Sequence, residues 1–322
     1  MDLKNKRIAL VGGAGLIGSH LADLLLQDDV KEILIYDNFV RGKRENLAEA
    51  MKDRRIRIVE GDILDKKRLE DSLQGCDGVF LLAALWLLEC AKDPVAANRV
   101  NVDGNLNVVE VCRQLGTKRL VFSSSASVYG DAIVEPMPED HPLNNRTFYG
   151  ATKVALEQVL RSYHEMYQLP YVALRYFNVY GPRQDYKNAY VSVIMKVLDR
   201  IDGEQPPLIF GDGTQSYDFI YVKDVAQANI AAMKSQAVDD SFNVCTGIKT
   251  SINEVVQHLL QITGSSLKPE YRPAPQVFVT NRVGDPKKAR RLLHFTPETS
   301  LQEGLAELVA WRAARIREEA VS

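Results

Sequence analysis

The sequence of 322 residues predicts an α/β protein built on a doubly wound parallel sheet, with a smaller C-terminal substrate-binding lobe. Three observations predict it. Short β-branched runs alternate with amphipathic segments through the first half, a glycine cluster sits between the first run and the first amphipathic segment, and the rhythm breaks after Asn178-Val179-Tyr180-Gly181-Pro182. Alternation of this kind implies parallel strands joined by right-handed helical crossovers.

Taken in order, the pairs are Ile8–Val11 with Ile17–Leu26, Glu32–Asp37 with Arg44–Met51, and Ile56–Glu60 with Lys67–Leu73. They continue as Gly78–Leu82 with Val95–Leu115, Arg119–Ser123 with Gly150–Tyr167, and the strand Tyr171–Arg175. Six strands of one sheet are thereby predicted. A looser stretch follows, with a helix at Tyr190–Leu198, paired prolines at Pro206 and Pro207, and a turn at Gly211-Asp212-Gly213. The chain then returns to the sheet through the helix Val222–Met233 and the strand Ser241–Cys245, and ends in helices at Ile252–Leu260 and Leu301–Ile316. The expected division is a nucleotide-binding domain over residues 1–178 and about 216–245, and a substrate lobe over about 179–215 and 246–322.

A hydrophobic share of 46%, a charged share of 25% and a net charge of −2 describe an ordinary globular chain with no broad field for nucleic acid or a membrane surface. The apolar run Val79–Leu88 is about half the length of a membrane span, and the N-terminus holds no signal-peptide core, so the expected location is cytoplasmic. Cys76, Cys90, Cys112 and Cys245 lack metal-binding spacing and read as free buried thiols. The histidines His20, His141, His164, His258 and His294 show no ligand spacing, so no metal is expected.

Gly12-Gly13-Ala14-Gly15-Leu16-Ile17-Gly18 follows the first strand and opens a helix. Glycines there permit a tight turn, close approach of backbone to a pyrophosphate, and close packing of helix on strand, the signature of a Rossmann-type dinucleotide site. The second strand ends in Asp37, about 20 residues further on, where a carboxylate accepts hydrogen bonds from the adenosine ribose. That favours NAD over NADP. Against it stand Arg41, Lys43 and Arg44, a basic loop that is solvated surface in one reading and a phosphate site in the other. Asp62, after the third strand, reads as an adenine contact or as a turn residue capping the next helix.

Tyr149 and Lys153 lie four residues apart and share a helical face, so the ammonium is expected to lower the phenol pKa towards a value useful for proton transfer. They follow Ser123-Ser124-Ser125 at the carboxyl end of a predicted strand, where open α/β sheets place their ligands. With the glycine turn, this order of signals resembles the extended short-chain dehydrogenase/reductase family, and within it the UDP-galactose 4-epimerase-like nucleotide-sugar epimerases. The matching stretches are Gly12–His20, Leu82-Ala83-Ala84, Asn101-Val102-Asp103-Gly104, Phe122–Gly130, Tyr149-Gly150-Ala151-Thr152-Lys153 and Leu174–Pro182.

The resemblance implies that Tyr149 is the catalytic base, that Lys153 holds the nicotinamide ribose, and that Ser125 hydrogen-bonds the reacting sugar oxygen. It extends the cofactor site to Leu16, Ile17, Asn38, Ile63, Leu82, Ala83, Ala84, Asn101, Ser123 and Tyr176, and the substrate site to Ser124 and Asn178. Trp86, in the loop after Ala84, lines the sugar pocket or the core. Relatives also dimerise through the helices read here as Val95–Leu115 and Gly150–Tyr167, paired into a four-helix bundle.

Two departures matter. Ser125-Ala126-Ser127 stands where the related 4,6-dehydratases carry Thr-Asp-Glu, so the acid pair for eliminating water is missing. Tyr217-Asp218 stands where many relatives carry an Arg-Asp pair whose arginine grips the diphosphate. That task then falls to Arg272, which resembles the family's other phosphate-binding arginine, or to Arg183 or Arg282, either of which would also suit a C6 carboxylate.

The expected activity is an NAD-dependent nucleotide-sugar 4-epimerase working through a 4-keto sugar on a UDP-hexose, UDP-N-acetylhexosamine or UDP-uronic acid. A reductase of 4-keto sugar nucleotides, spending NAD(P)H, is the first rival. A non-catalytic subunit that binds a dinucleotide as a ligand is the second, and intact Ser125, Tyr149 and Lys153 count against it.

Overall fold

The computed structural model describes residues 1–186, 192–273 and 281–321. In chain order the first half runs β1 (Arg7–Val11), α1 (Leu16–Leu25), β2 (Glu32–Asp37), β3 (Ile56–Glu60), α2 (Lys66–Leu73) and β4 (Gly78–Leu81). It continues through α3 (Leu87–Lys92), α4 (Pro94–Asn98), α5 (Asn105–Gln114), β5 (Arg119–Ser125), α6 (Phe148–Tyr167) and β6 (Tyr171–Tyr176). The second half holds β7 (Asn178–Tyr180), α7 (Val193–Asp202), β8 (Leu208–Phe210), β9 (Ser216–Tyr217), β10 (Phe219–Tyr221), α8 (Val222–Lys234) and β11 (Asp240–Val244). It closes with β12 (Thr250–Ser251), α9 (Ile252–Thr263), β13 (Glu270–Arg272), β14 (Asn281–Arg282), α10 (Lys287–Leu293) and α11 (Leu301–Val321).

Seven parallel strands form one sheet in the order β3-β2-β1-β4-β5-β6-β11. Their central strands are apolar and buried on both faces, as helices on both sides of a parallel sheet require. One core layer joins α1 and α8 to the sheet, with Leu21, Leu25, Val225 and Met233 against Phe80 and Val172. The opposite layer packs α2, α5 and α6 through Leu69, Val108, Val111, Leu156 and Leu160. A third core, built from Tyr180, Ile194, Leu198, Tyr221, Val255, Leu259, Leu305 and Leu308, holds α7, α9 and α11 together beyond the sheet. Among the described residues no helix is long and apolar enough to cross a membrane.

Three predicted elements differ from the structure for identifiable reasons. The helix expected over Arg44–Met51 is two short 3₁₀ turns, because its loop is tied down by Asn46 Nδ2 and Lys43 N, both donating to the Ala14 carbonyl at 2.9 and 3.1 Å. The helix expected over Val95–Leu115 is α4 and α5 joined by a π-helical turn at Arg99–Gly104, a widening that commonly marks functional sites. That turn swings Asn101 inward, where Oδ1 accepts from Leu85 N at 2.7 Å and Nδ2 donates to Leu85 O at 2.8 Å. The third is α7, which begins at Val193 behind a Ser192 cap; Tyr190, its expected start, lies outside the described residues.

α6 carries the site side chains and is held from both ends and from below. Thr147 caps its N-terminus by accepting from Gly150 N at 3.0 Å, and Gln168 closes it in the left-handed conformation. In its middle, Glu157 makes a bidentate ion pair with Arg175 of β6, with Nη2 to Oε2 at 2.6 Å and Nε to Oε1 at 3.0 Å. The guanidinium also donates to Tyr129 OH at 2.8 Å and to the Glu139 carbonyl at 2.7 Å. Both side chains are 6% exposed, so removing one strands the other charge in the interior. Glu157→Leu is therefore expected to cost about 3–5 kcal/mol in urea denaturation; a loss below about 1 kcal/mol would show that Arg175 finds water or another partner.

Candidate active site

A cavity of about 690 Å³ opens at the carboxyl ends of the sheet strands, within the range of small-molecule sites. Its floor is the β1–α1 turn. Gly12 takes φ +83°, and a Cβ there would meet Ala83 N at 2.5 Å; Gly18 packs so tightly that a Cβ would meet Gly13 Cα at 2.6 Å. Gly15 is different: at φ −77° its Cβ would meet only the Gly12 carbonyl, at 3.9 Å, and would stand in the cavity itself. It is a cradle kept empty of side chain. α2, α6, α7 and α9 all have side-chain caps, whereas α1 has none and no acidic residue in its first turn, which leaves its positive end open to an anion. These features fit a dinucleotide pyrophosphate.

Asp37 lies at the end of β2 with each oxygen accepting one backbone N–H, Oδ2 from Ala14 and Oδ1 from Phe39, both at 2.9 Å. Burial pushes its carboxyl up, and each oxygen keeps a second lone pair for a ribose hydroxyl. Asn38 Nδ2 donates to Asp62 Oδ2 at 3.0 Å, joining the loops that follow β2 and β3 at the cavity. Of the basic loop, Lys43 lines the cavity and the two arginines are paired. Arg41 pairs with Glu89 at 3.5 Å and lies over the Trp86 ring at 4.7 Å, and Arg44 pairs with Glu60 at 2.8 Å and lies over Phe39 at 4.3 Å.

Tyr149 and Lys153 face the same cavity from α6, beside Ser123, Ser124 and Ser125 at the end of β5. Lys153 Nζ donates to the Ser123 carbonyl at 2.7 Å and sits 4.9 Å from the Phe122 ring and 5.5 Å from the Tyr149 ring. Burial pushes the Tyr149 phenol up to about 12, although the Ser125 hydroxyl beside it and, more weakly, Arg41 pull it down. Burial pushes the Lys153 ammonium down to about 8. This differs from the expected acidified phenol: the ammonium is spent on a carbonyl, and desolvation of the phenol prevails. Behind these groups Ser123 Oγ shares a 2.9 Å hydrogen bond with Tyr176 OH, which donates to Asn229 at 2.9 Å, and Ser124 Oγ donates to Glu157 Oε1 at 2.5 Å.

The lining gathers Gly12, Gly15, Leu16, Ile17, Gly18, Asp37, Asn38, Asp62, Ile63, Leu82, Ala83, Ala84, Trp86, Tyr176 and Arg183 with the serines, Tyr149 and Lys153. Four predicted residues lie off it. Asn101 is spent on pinning the Leu85 loop and on Thr152, at 3.3 Å. Asn178 opens β7, where its N–H donates to Asp218 O at 2.9 Å. Arg272 is exposed on β13 and paired with Glu270 at 2.8 Å. Arg282 is half-buried beside Tyr217, its partner in the β14–β9 register; desolvation pushes its guanidinium down to about 10, and its Nε has no hydrogen-bond partner. Arg183 reaches the cavity at φ +67°, with Nη2 on Asp23 at 2.6 Å and Nη1 buried without a partner.

Sequence reasoning missed the contribution of α11. Trp311, Arg315 and Glu319 line the cavity at successive turns of one helical face, a spacing visible in the sequence but without any sign of what that face meets. It also missed Glu45, Asn46, Phe177 and Tyr186. Among the described residues no group of His, Cys, Asp or Glu could hold a metal ion.

Two outcomes test this geometry. Gly15→Ala should fold with unaltered thermal stability, since its Cβ meets no protein atom closely, yet lose dinucleotide affinity at least about tenfold in calorimetry; retained affinity would mean that the turn is not the phosphate cradle. The second concerns pH. Lys153 ordinarily titrates near 10.5 and does so here at about 8, so between pH 8 and 10 this group contributes a rise of stability with pH, set against the fall contributed by the buried thiols, whose pKa values are raised. Lys153→Met should abolish that rise in urea midpoints measured across the window; an unchanged slope would assign it to another group.

The model of the NAD dependent epimerase/dehydratase family matches residues 8–245. A Methanocaldococcus jannaschii protein named putative UDP-glucose 4-epimerase is 34% identical, over 94% of this chain and 97% of its own. The UDP-N-acetylglucosamine 4-epimerase of Methanobrevibacter ruminantium, solved in complex with UDP-N-acetylmuramic acid, superposes with a TM-score of 0.92 at 36% identity, covering 97% of this chain and 99% of that one. The UDP-glucuronic acid 4-epimerase of Bacillus cereus, in complex with UDP-glucuronic acid and NAD, gives 0.89 at 28% identity, covering 96% and 99%. With a glycine turn, an uncapped helix and a buried carboxylate around one cavity, this chain belongs to the NAD dependent epimerase/dehydratase family and is an enzyme of the extended short-chain dehydrogenase type whose cofactor is NAD.

Proposed function

We propose that the protein is a nucleotide-sugar 4-epimerase acting on a UDP-linked hexose, N-acetylhexosamine or uronic acid through a transient 4-keto sugar. The observation that carries this reading is the convergence of Tyr149, Ser125 and Lys153 on the cavity that also holds the glycine turn. Bound NAD supplies a reversible hydride acceptor for C4 and a positive pyridinium. The phenol, high in the protein alone, needs added positive charge to give up its proton, and Lys153 is placed to hold the ribose beside it.

Tyr149 then takes the proton of the sugar O4 hydroxyl and later returns it. Ser125 Oγ already accepts from Ser127 N at 3.1 Å, so its own proton is available to donate to O4 as that oxygen gains carbonyl character. Ala126 and Ser127 offer no carboxylate for removing water, which favours epimerisation over 4,6-dehydration. For the diphosphate, the reading favours Arg183, which lines the cavity and keeps a guanidinium nitrogen without a partner, over the exposed Arg272. The homodimer implied by the resemblance draws support from exposed Val95 on α4 and Met166 on α6.

Each of UDP-glucose, UDP-N-acetylglucosamine and UDP-glucuronic acid, incubated separately with the holoenzyme, is to be followed by proton NMR. At least one should give its C4 epimer without net NADH formation, and Tyr149→Phe should slow that conversion by about 10²–10⁴-fold while still binding NAD. Stoichiometric consumption of NADH on a 4-keto sugar nucleotide, with no epimer from any of the three, would make the chain a reductase instead.

A further inference from the structure

The cofactor end of the cavity is crossed by the last turns of the chain. α11 is fixed as far as Arg312, which is buried and ion-paired with Asp199 and Asp202 of α7. Upstream of it, Leu305 and Leu308 are fully enclosed in the third core. Beyond Arg312 no described side chain of the helix is buried. This overhang is held by polar contacts to two separate loops. Arg315 pairs with Glu45, from the 3₁₀ turn that follows β2, and Glu319 accepts from Tyr186 OH at 2.8 Å, in the loop that follows β7. Arg315, Glu319, Glu45 and Tyr186 all line the cavity, and the Glu45 loop is fastened in turn to the glycine turn through Asn46 and Ala14.

We propose that the end of α11 is a clasp over the dinucleotide, that Arg315 and Glu45 are its closing contact, and that it retains NAD between turnovers. The proposal rests on the epimerase reading for its purpose, since only an enzyme that regenerates its cofactor on site gains by not releasing it. A buried anchor followed by an overhang without buried apolar contacts opens locally at small cost, so the clasp yields for loading without unfolding the lobe. The pair is well separated in sequence and joins the two ends of the chain, so its rupture frees both the helix end and the ribose-side loop.

The test uses holoenzyme loaded with NADH and diluted into excess NAD, with no nucleotide sugar present, so that it stands or falls independently of epimerisation. The two tryptophans of the chain, Trp86 and Trp311, both line the cavity, and energy transfer from them to the reduced nicotinamide reports occupancy. Arg315→Ala and Glu45→Ala should each speed NADH release about two- to five-fold, the worth of a solvent-exposed ion pair. The exchange Glu45→Arg with Arg315→Glu should return the rate towards that of the parent, which a merely damaged helix would not do. Release at the parent rate in both single variants, or an exchanged pair no slower than either, overturns the clasp.

Discussion

One buried hydrogen bond sets the position of everything reactive here: the ammonium of Lys153 donating to the Ser123 carbonyl at 2.7 Å. It joins α6 to the last turn of β5, where the strand leaves the sheet and its serines meet the cavity. An unpaired ammonium in this place would carry a heavy desolvation cost, so the helix has one register against the strand that satisfies it. Tyr149, one turn earlier, is placed by that register. The Glu157–Arg175 pair one turn later repeats the device against β6, so α6 is fastened to two adjacent strands by ionic groups as well as by its apolar face.

Burial moves Tyr149 and Lys153 of α6 in opposite directions, the phenol up to about 12 and the ammonium down to about 8. Both shifts follow from one cause, the penalty on charge in a space walled by protein. The pocket thus resists holding charge of its own. Arg41, over the Trp86 ring, acts in the opposite direction on the phenol and pulls it down.

The sheet was legible in the sequence because its strands are apolar on both faces and its turns are punctuated by glycine and aspartate; the glycine cradle and the Tyr149–Lys153 pair were legible because their spacing is local. What was not legible depends on contacts between distant segments. Nothing near Asn101 announces that a π-helical turn will direct it to Leu85 rather than to a ligand. Arg272 and Arg282 look alike as residues, and only the pairing of β14 with β9 half-buries one while β13 exposes the other. The spacing of Tyr149 and Lys153 gave their shared face but not the carbonyl that competes for the ammonium.

The neighbouring serines at the end of β5 show how a hydroxyl acquires direction. Ser124 gives its single proton inward to Glu157, and Ser125 receives the Ser127 amide on its oxygen. Towards a ligand, then, the former has only lone pairs to offer and the latter a proton. Two chemically identical side chains, adjacent along one strand, become an acceptor and a donor through the partners each meets.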